Sequence, residues 1–95
     1  MNDGKKYDGE KPRWDLLPWL AMNEVVKVLT MGAKKYGDDN WKMLENLDDR
    51  YLSASMRHEF AYQMGDRIDE ESGLHPLAHK ICSDLFRLQN DMENK

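Results

Sequence analysis

Residues 57–84 read RHEFAYQMGDRIDEESGLHPLAHKICSD. This stretch holds all three histidines (His58, His75, His79) and the densest acid cluster, Asp66, Asp69, Glu70 and Glu71. Gly65 and Gly73 bound a short polar run, and Pro76 follows in the position a new helix tolerates best, its first turn. The stretch therefore reads as the end of one helix, a tight acidic loop and the start of another. That geometry turns the polar groups of two helices towards one mouth.

Working outward, the third helix is expected from Gly73 to about Met92. Its clearest apolar stripe is Leu74, Leu77, Ile81, Leu85, Leu88 and Met92. His75 and His79 are four apart and share a face, and Lys80 and Asp84 form an i, i+4 pair. The second helix is expected at roughly 50–65, capped by Asp48 or Asp49 and stopped by Gly65. Its apolar face is Leu52, Met56, Phe60 and Met64, joined by Ala61. A second stripe, Tyr51, Ser55, His58 and Tyr62, carries a polar tip at every position. It suits either an internally hydrogen-bonded helix contact or a pocket wall.

Leu16 to Met31 reads as the first helix, with Asp15 as N-cap, Pro18 in the first turn and Gly32 as the stop. Leu17, Leu20 or Ala21, Val25, Val28 and Leu29 give its stripe. Trp19, Met22 and Met31 are left over as a second, self-associating face. Residues 32–41, GAKKYGDDNW, form a loop. Lys34 and Lys35 there serve either a helix C-terminus or a phosphate, with Tyr36 or Trp41 placed to stack on a base. The P-loop spacing is absent. Residues 1–15 lack periodicity and read as an extended basic arm; docking through Trp14 would fix Lys11 and Arg13 at a site.

Ninety-five residues make one small domain spanning 1–95, with the helical core at 16–92. The expected architecture is all-α: three main helices with the arm across them. So small a chain buries a modest fraction of its surface, which favours a homo-oligomer. A net charge of −4 argues against nucleic acid as a partner. The single Cys82 excludes an internal disulfide and a cysteine-based zinc finger. No run approaches a membrane span, and no signal peptide is expected, so the reading is cytoplasmic.

The acidic loop has two readings. Asp69, Glu70, Glu71 and Ser72 precede a helix and can cap it. Four acids within six residues also repel unless a cation neutralises them. Carboxylates can hold Mg²⁺ or Mn²⁺ together with substrate phosphates, cations can neutralise those phosphates, and aromatics can stack on a base. The inventory suits a nucleotide polyphosphate. His58 or His79 would serve as base or bind phosphate.

The segments KYDGEKPRWDLLP, VLTMGAKKYGDDNW and RHEFAYQMGDRIDEESGLHPLAH, in this order over about residues 5–86, resemble the phage dATP/dGTP diphosphohydrolase family. The resemblance implies an all-α, MazG-like nucleotide pyrophosphohydrolase fold. It implies purine deoxynucleoside triphosphates as substrates, released as monophosphate and pyrophosphate in a host cytoplasm. Carried over by position, Lys6, Asp8, Lys11, Arg13 and Asp15 belong to the arm motif. Lys34, Lys35, Tyr36, Asn40 and Trp41 belong to the loop. Arg57, His58, Asp66, Asp69, Glu71 and His79 form the core site. Within it His58, Asp69 and His79 are the catalytic candidates, and Asp66, Asp69 and Glu71 the metal candidates. The glutamate usual after the glycine is Asp66 here, and no ExxE occurs in the chain. The alternative is a non-catalytic sponge that sequesters a host defence nucleotide.

Overall fold

The structure is a computed structural model that describes Gly4 and residues 9–94. Three α-helices dominate: α1 (Trp19–Tyr36), α2 (Leu47–Gln63) and α3 (Pro76–Glu93). Single 3₁₀ turns at Trp14–Leu16 and Asn40–Met43 precede α1 and α2. No strand occurs among the described residues, as the all-α expectation requires.

The helix limits differ from the sequence reading for identifiable reasons. Pro18 drives the preceding residue out of the helical region, and Leu17 is extended at ψ 131°. The first helix therefore starts at Trp19 with Pro18 at its N-cap, not at Leu16 behind Asp15. Gly32 does not stop it. Ala33, Lys34 and Lys35 are good helix formers and carry the helix one more turn. The stop is Gly37, at φ 96° and ψ 155°, a region open essentially to glycine alone. The second helix starts at Leu47, capped by Asn46 in the left-handed conformation, and Asp48 and Asp49 lie in its first turn. Gly65, at φ 104°, follows its end as expected. In α3, Pro76 takes the first position and His75 is the N-cap.

The core is small. Val25, Val28, Ala78 and Cys82 form one buried cluster, with Leu29, Leu74 and Phe86 packed against it. α3 is central: it packs along α2 and against α1, whereas α1 and α2 have no comparable packing on each other. A wedge therefore stays open between α1 and α2, floored by α3.

The inward faces of α2 and α3 are not the apolar stripes expected. On α2 the polar-tipped stripe faces in: Ser55 is buried, and Tyr51, His58 and Tyr62 are half-buried. Lys80 Nζ donates to Ser55 Oγ at 3.2 Å and to Asp84 Oδ2 at 3.1 Å. Arg87 Nε donates to Asp48 Oδ1 at 2.9 Å, tying α3 to the start of α2. Leu52, Met56, Phe60 and Met64 remain 38%, 63%, 66% and 68% exposed. On α3 the buried residues are Pro76, Ala78, Cys82 and Ser83, and Ile81, Leu85, Leu88 and Met92 are exposed. Of the leftover residues of α1, Trp19 is exposed, Met22 is half-buried and Met31 lines the wedge. No described helix is long and apolar enough to cross a membrane.

Candidate functional site

The wedge is a cleft of about 820 Å³, within the range of small-molecule sites. The end of α1 contributes Gly32 and Tyr36, and the following loop Asn40 and Trp41. α2 contributes Arg50, Tyr51, Arg57 and His58, and α3 contributes His79, Cys82, Ser83 and Phe86. Trp41 is anchored as a wall: its ring stacks on Phe86 at 4.3 Å, and Tyr51 meets the same Phe86 edge-on at 5.0 Å. Asp39 and Asn46, both in the left-handed conformation, bend the intervening segment and hold the 3₁₀ turn that carries Asn40 and Trp41.

A second recess of about 390 Å³ lies beside the cleft, lined by His58, Asp66, Asp69, Glu70, Glu71 and Pro76 among others. His58 belongs to both hollows. Its ring stacks on His79 with centroids 4.8 Å apart and planes 23° from parallel. Burial pushes His58 below the ordinary imidazole range, and the neighbouring His79 adds to the shift. It is therefore neutral at pH 7, in the form that accepts a proton. Among the described residues no hydrogen bond occupies its ring nitrogens.

His79 is held differently. Asp69 Oδ2 accepts from the Ser72 hydroxyl and the Ser72 N–H, both at 3.0 Å. Ser72 Oγ accepts from Leu74 N–H at 3.1 Å and lies 2.7 Å from His79 Nε2. A hydroxyl has one proton, and the carboxylate takes it. His79 Nε2 is therefore the donor to Ser72 Oγ. Burial works to raise the Asp69 pKa, but the two Ser72 hydrogen bonds, joined at acid pH by the charge of protonated His79 and His58, hold it below the usual carboxylate range. The network fastens the acidic loop to α3.

The structure thus brings Tyr36, Asn40, Trp41, Arg57, His58 and His79 around one cleft, and Asp66, Asp69 and Glu71 around the adjoining recess. Lys35 reaches the recess edge, where its Nζ donates to Glu71 Oε1 at 2.9 Å. Lys34 is exposed in the last turn of α1, the dipole position. Docking of the arm through Trp14 is not observed: Trp14 is exposed, and Arg13 pairs with Asp15 at 2.7 Å. Lys11 is exposed too, and neither cation lines the cleft. Lys6 and Asp8 lie outside the described residues. His75, like His79, faces the inward stripe of α2, with its ring 5.7 Å from that of Tyr62. It sits before the helix, where its Nδ1 accepts from Leu77 N–H at 3.0 Å.

Asp66, Asp69 and Glu71 do not converge as a ligand set; among the described residues no group of three His, Cys, Asp or Glu side chains is gathered for a metal. Glu71 is drawn outward by Lys35, and Asp69 Oδ2 is engaged by Ser72. The residues do not form a ready site for Mg²⁺ or Mn²⁺. Sequence reasoning missed Arg50, Phe86 and the clamp role of Ser72. Arg50 lies seven residues before Arg57, two turns along the same face, which was the available signal.

No solved structure matches the chain. A curated protein of Salmonella phage PMBT28, described as a dATP/dGTP diphosphohydrolase, is 35% identical over 83 residues, covering 87% of this chain and 28% of the relative. The chain thus spans under a third of that relative's length. A family model described as dATP/dGTP diphosphohydrolase, N-terminal, matches residues 1–95. Matched over residues 1–95, the chain belongs to the dATP/dGTP diphosphohydrolase N-terminal family.

Proposed function

We propose that this chain binds a purine deoxynucleoside triphosphate in the α1–α2 cleft and hydrolyses it to monophosphate and pyrophosphate. The observation that carries the reading is the position of His58, a neutral imidazole between an aromatic, cationic cleft and an acidic recess. The base lies along Trp41 and Tyr36, where one apolar face is offered to a ring. Arg50 and Arg57 meet the phosphates, which guanidinium groups bind through paired hydrogen bonds. His58 takes a proton from water as the water oxygen bonds to the α-phosphorus. The bond from that phosphorus to the bridging oxygen breaks, and pyrophosphate leaves with the electron pair. His79, fixed through Ser72, holds the His58 ring by stacking. The relative's printed name supports the substrate class.

Mg²⁺ or Mn²⁺ remains part of the proposal as an ion that enters with the triphosphate. No step passes through it, because the recess carboxylates do not form a ready ligand set.

The test is incubation of the purified protein with dATP, dGTP, ATP and GTP, with and without Mg²⁺ or Mn²⁺, and separation of the products. Monophosphate plus pyrophosphate from the deoxypurine substrates, lost in His58→Asn, supports the reading. Retention of intact nucleotide without turnover would replace it with the sponge, which no observation here favours. Neither turnover nor retention would remove nucleotide chemistry from the cleft.

A further inference from the structure

The outer face of α2 carries a feature that the cleft does not use. Leu52, Met56 and Phe60 form an exposed apolar row, continued by Met64. Beside it runs a polar row, Asp49, Ser53 and Arg57. Together they line a groove of about 550 Å³. Arg57 lines this groove on one side and the cleft on the other. Its Nη1 donates to Ser53 Oγ at 3.0 Å.

We infer that a second copy of this chain seats on the groove, α2 against α2 in antiparallel orientation, about a two-fold axis passing at Ser53.

Three observations select that occupant. The first is charge. Asp49 and Arg57 border one groove, eight residues apart. An antiparallel pair brings Asp49 of each copy to Arg57 of the other, so opposite charges meet twice. A parallel pair would set like charges together. An isologous interface needs this self-complementarity.

The second is area. The groove side chains Leu52, Met56 and Phe60 are 38%, 63% and 66% exposed, and pairing covers them in both copies. The third is the core. Among the described residues the buried apolar side chains are Val25, Val28, Leu47, Pro76, Ala78 and Cys82. So small a core leaves a domain of this size marginal by itself, and pairing adds buried apolar area where the fold has least.

The second copy also completes the cleft. Asp49 of that copy reaches Arg57, whose guanidinium would otherwise be steadied by Ser53 alone among the described residues. Pairing therefore orients a residue that faces the cleft.

The test is sedimentation velocity over a concentration series, with circular dichroism as the check of folding. Wild type is expected at twice the 11.2 kDa chain mass. Met56→Glu and Phe60→Glu place a charge at already exposed positions, so the fold persists while the dimer weakens by about tenfold or more. Asp49→Arg and Arg57→Asp each weaken it by a similar factor, and the double variant Asp49→Arg/Arg57→Asp restores it to within about threefold. Restoration supports the antiparallel pairing independently of the apolar variants. A wild-type monomer at every concentration overturns the proposal. So does an undiminished dimer in the Met56→Glu and Phe60→Glu variants, which would move the interface to the α3 stripe. A double variant as weak as the singles overturns the antiparallel pairing.

Discussion

The imidazoles of His58 and His79 stack 4.8 Å apart, yet they are held in different chemical states of use. His79 spends Nε2 on Ser72 Oγ, and through that hydroxyl it fastens the loop bearing Asp69. His58 has its pKa lowered by burial and by the positive charge that His79 can carry. Two stacked imidazoles cannot both be protonated cheaply, so the pair favours one base and one clamp. The asymmetry comes from the chain: His58 is on α2 facing the cleft, whereas His79 is one turn into α3 beneath the loop.

This division of labour separates two variants. His58→Asn is expected to lower kcat by about 10²–10⁴-fold with little change in KM, the range for loss of a general base. His79→Asn is expected to lower kcat less and to lower the melting temperature, because it removes the clamp as well as the stack. Ser72→Ala should follow His79→Asn in stability, costing about 1–3 kcal/mol for hydrogen bonds to a charged or part-buried partner. Steady-state kinetics beside thermal melts of the three variants decides the matter. Equal kcat losses for His58→Asn and Ser72→Ala would remove the distinction.

The His58 shift also predicts a pH dependence of folding. In the unfolded chain an imidazole titrates near 6.5, and in the folded chain His58 titrates lower. Above that range neither state binds the proton, and His58 adds no slope. As pH falls through 6.5 the unfolded state takes up the proton first, so stability declines. The decline levels off once the folded pKa is passed. Urea unfolding between pH 8 and 5 should show this slope in wild type and a shallower one in His58→Gln. Equal slopes in the two would show that His58 is not held neutral.

The sequence disclosed the helices better than it disclosed their faces. The turn before α3 was legible because Gly65, Gly73 and Pro76 each impose a backbone condition that few other residues meet. The end of α1 was not, since Gly32 marks a stop only when the residues after it disfavour a helix, and Ala33-Lys34-Lys35 favour one. The inward face of α2 departs from its pattern for a physical reason. Apolar rows are expected to face in, but here the polar tips of Tyr51, Ser55 and His58 do, with Ser55 satisfied by Lys80. The motif residues of the loop and of α2 do meet at one cleft. Lys11 and Arg13 do not: Arg13 is engaged by Asp15, and Trp14 is 73% exposed with no described residue anchoring it.

Gly37 offers a test of the loop that carries Asn40 and Trp41. Its φ of 96° with ψ of 155° is strained for any residue with a Cβ, although no atom lies within 4 Å of the place that Cβ would occupy. Gly37→Ala should therefore destabilise through the backbone alone, by about 1–3 kcal/mol. For a domain of this size each kcal/mol shifts the melting temperature by roughly 4–8 °C. A thermal melt reads the cost. An unchanged melting temperature would mean that the loop relaxes freely, and Trp41 could not then be a fixed wall.

Gly32 separates stability from binding. It lies inside α1 and lines the cleft, and no atom lies within 4 Å of the place an alanine methyl would take. In a helix interior alanine is better than glycine by about 0.5–1 kcal/mol, so Gly32→Ala should raise the melting temperature. A longer side chain at the same place enters the space assigned to the nucleotide. Gly32→Met should keep the helical content of wild type and weaken nucleotide binding by about tenfold or more, an affinity loss of roughly 1.4 kcal/mol. Calorimetric titration with dATP or dGTP measures it. Because the substitution leaves Arg57 and His58 in place and strengthens the helix, undiminished binding would leave one explanation, that the nucleotide sits elsewhere than between α1 and α2.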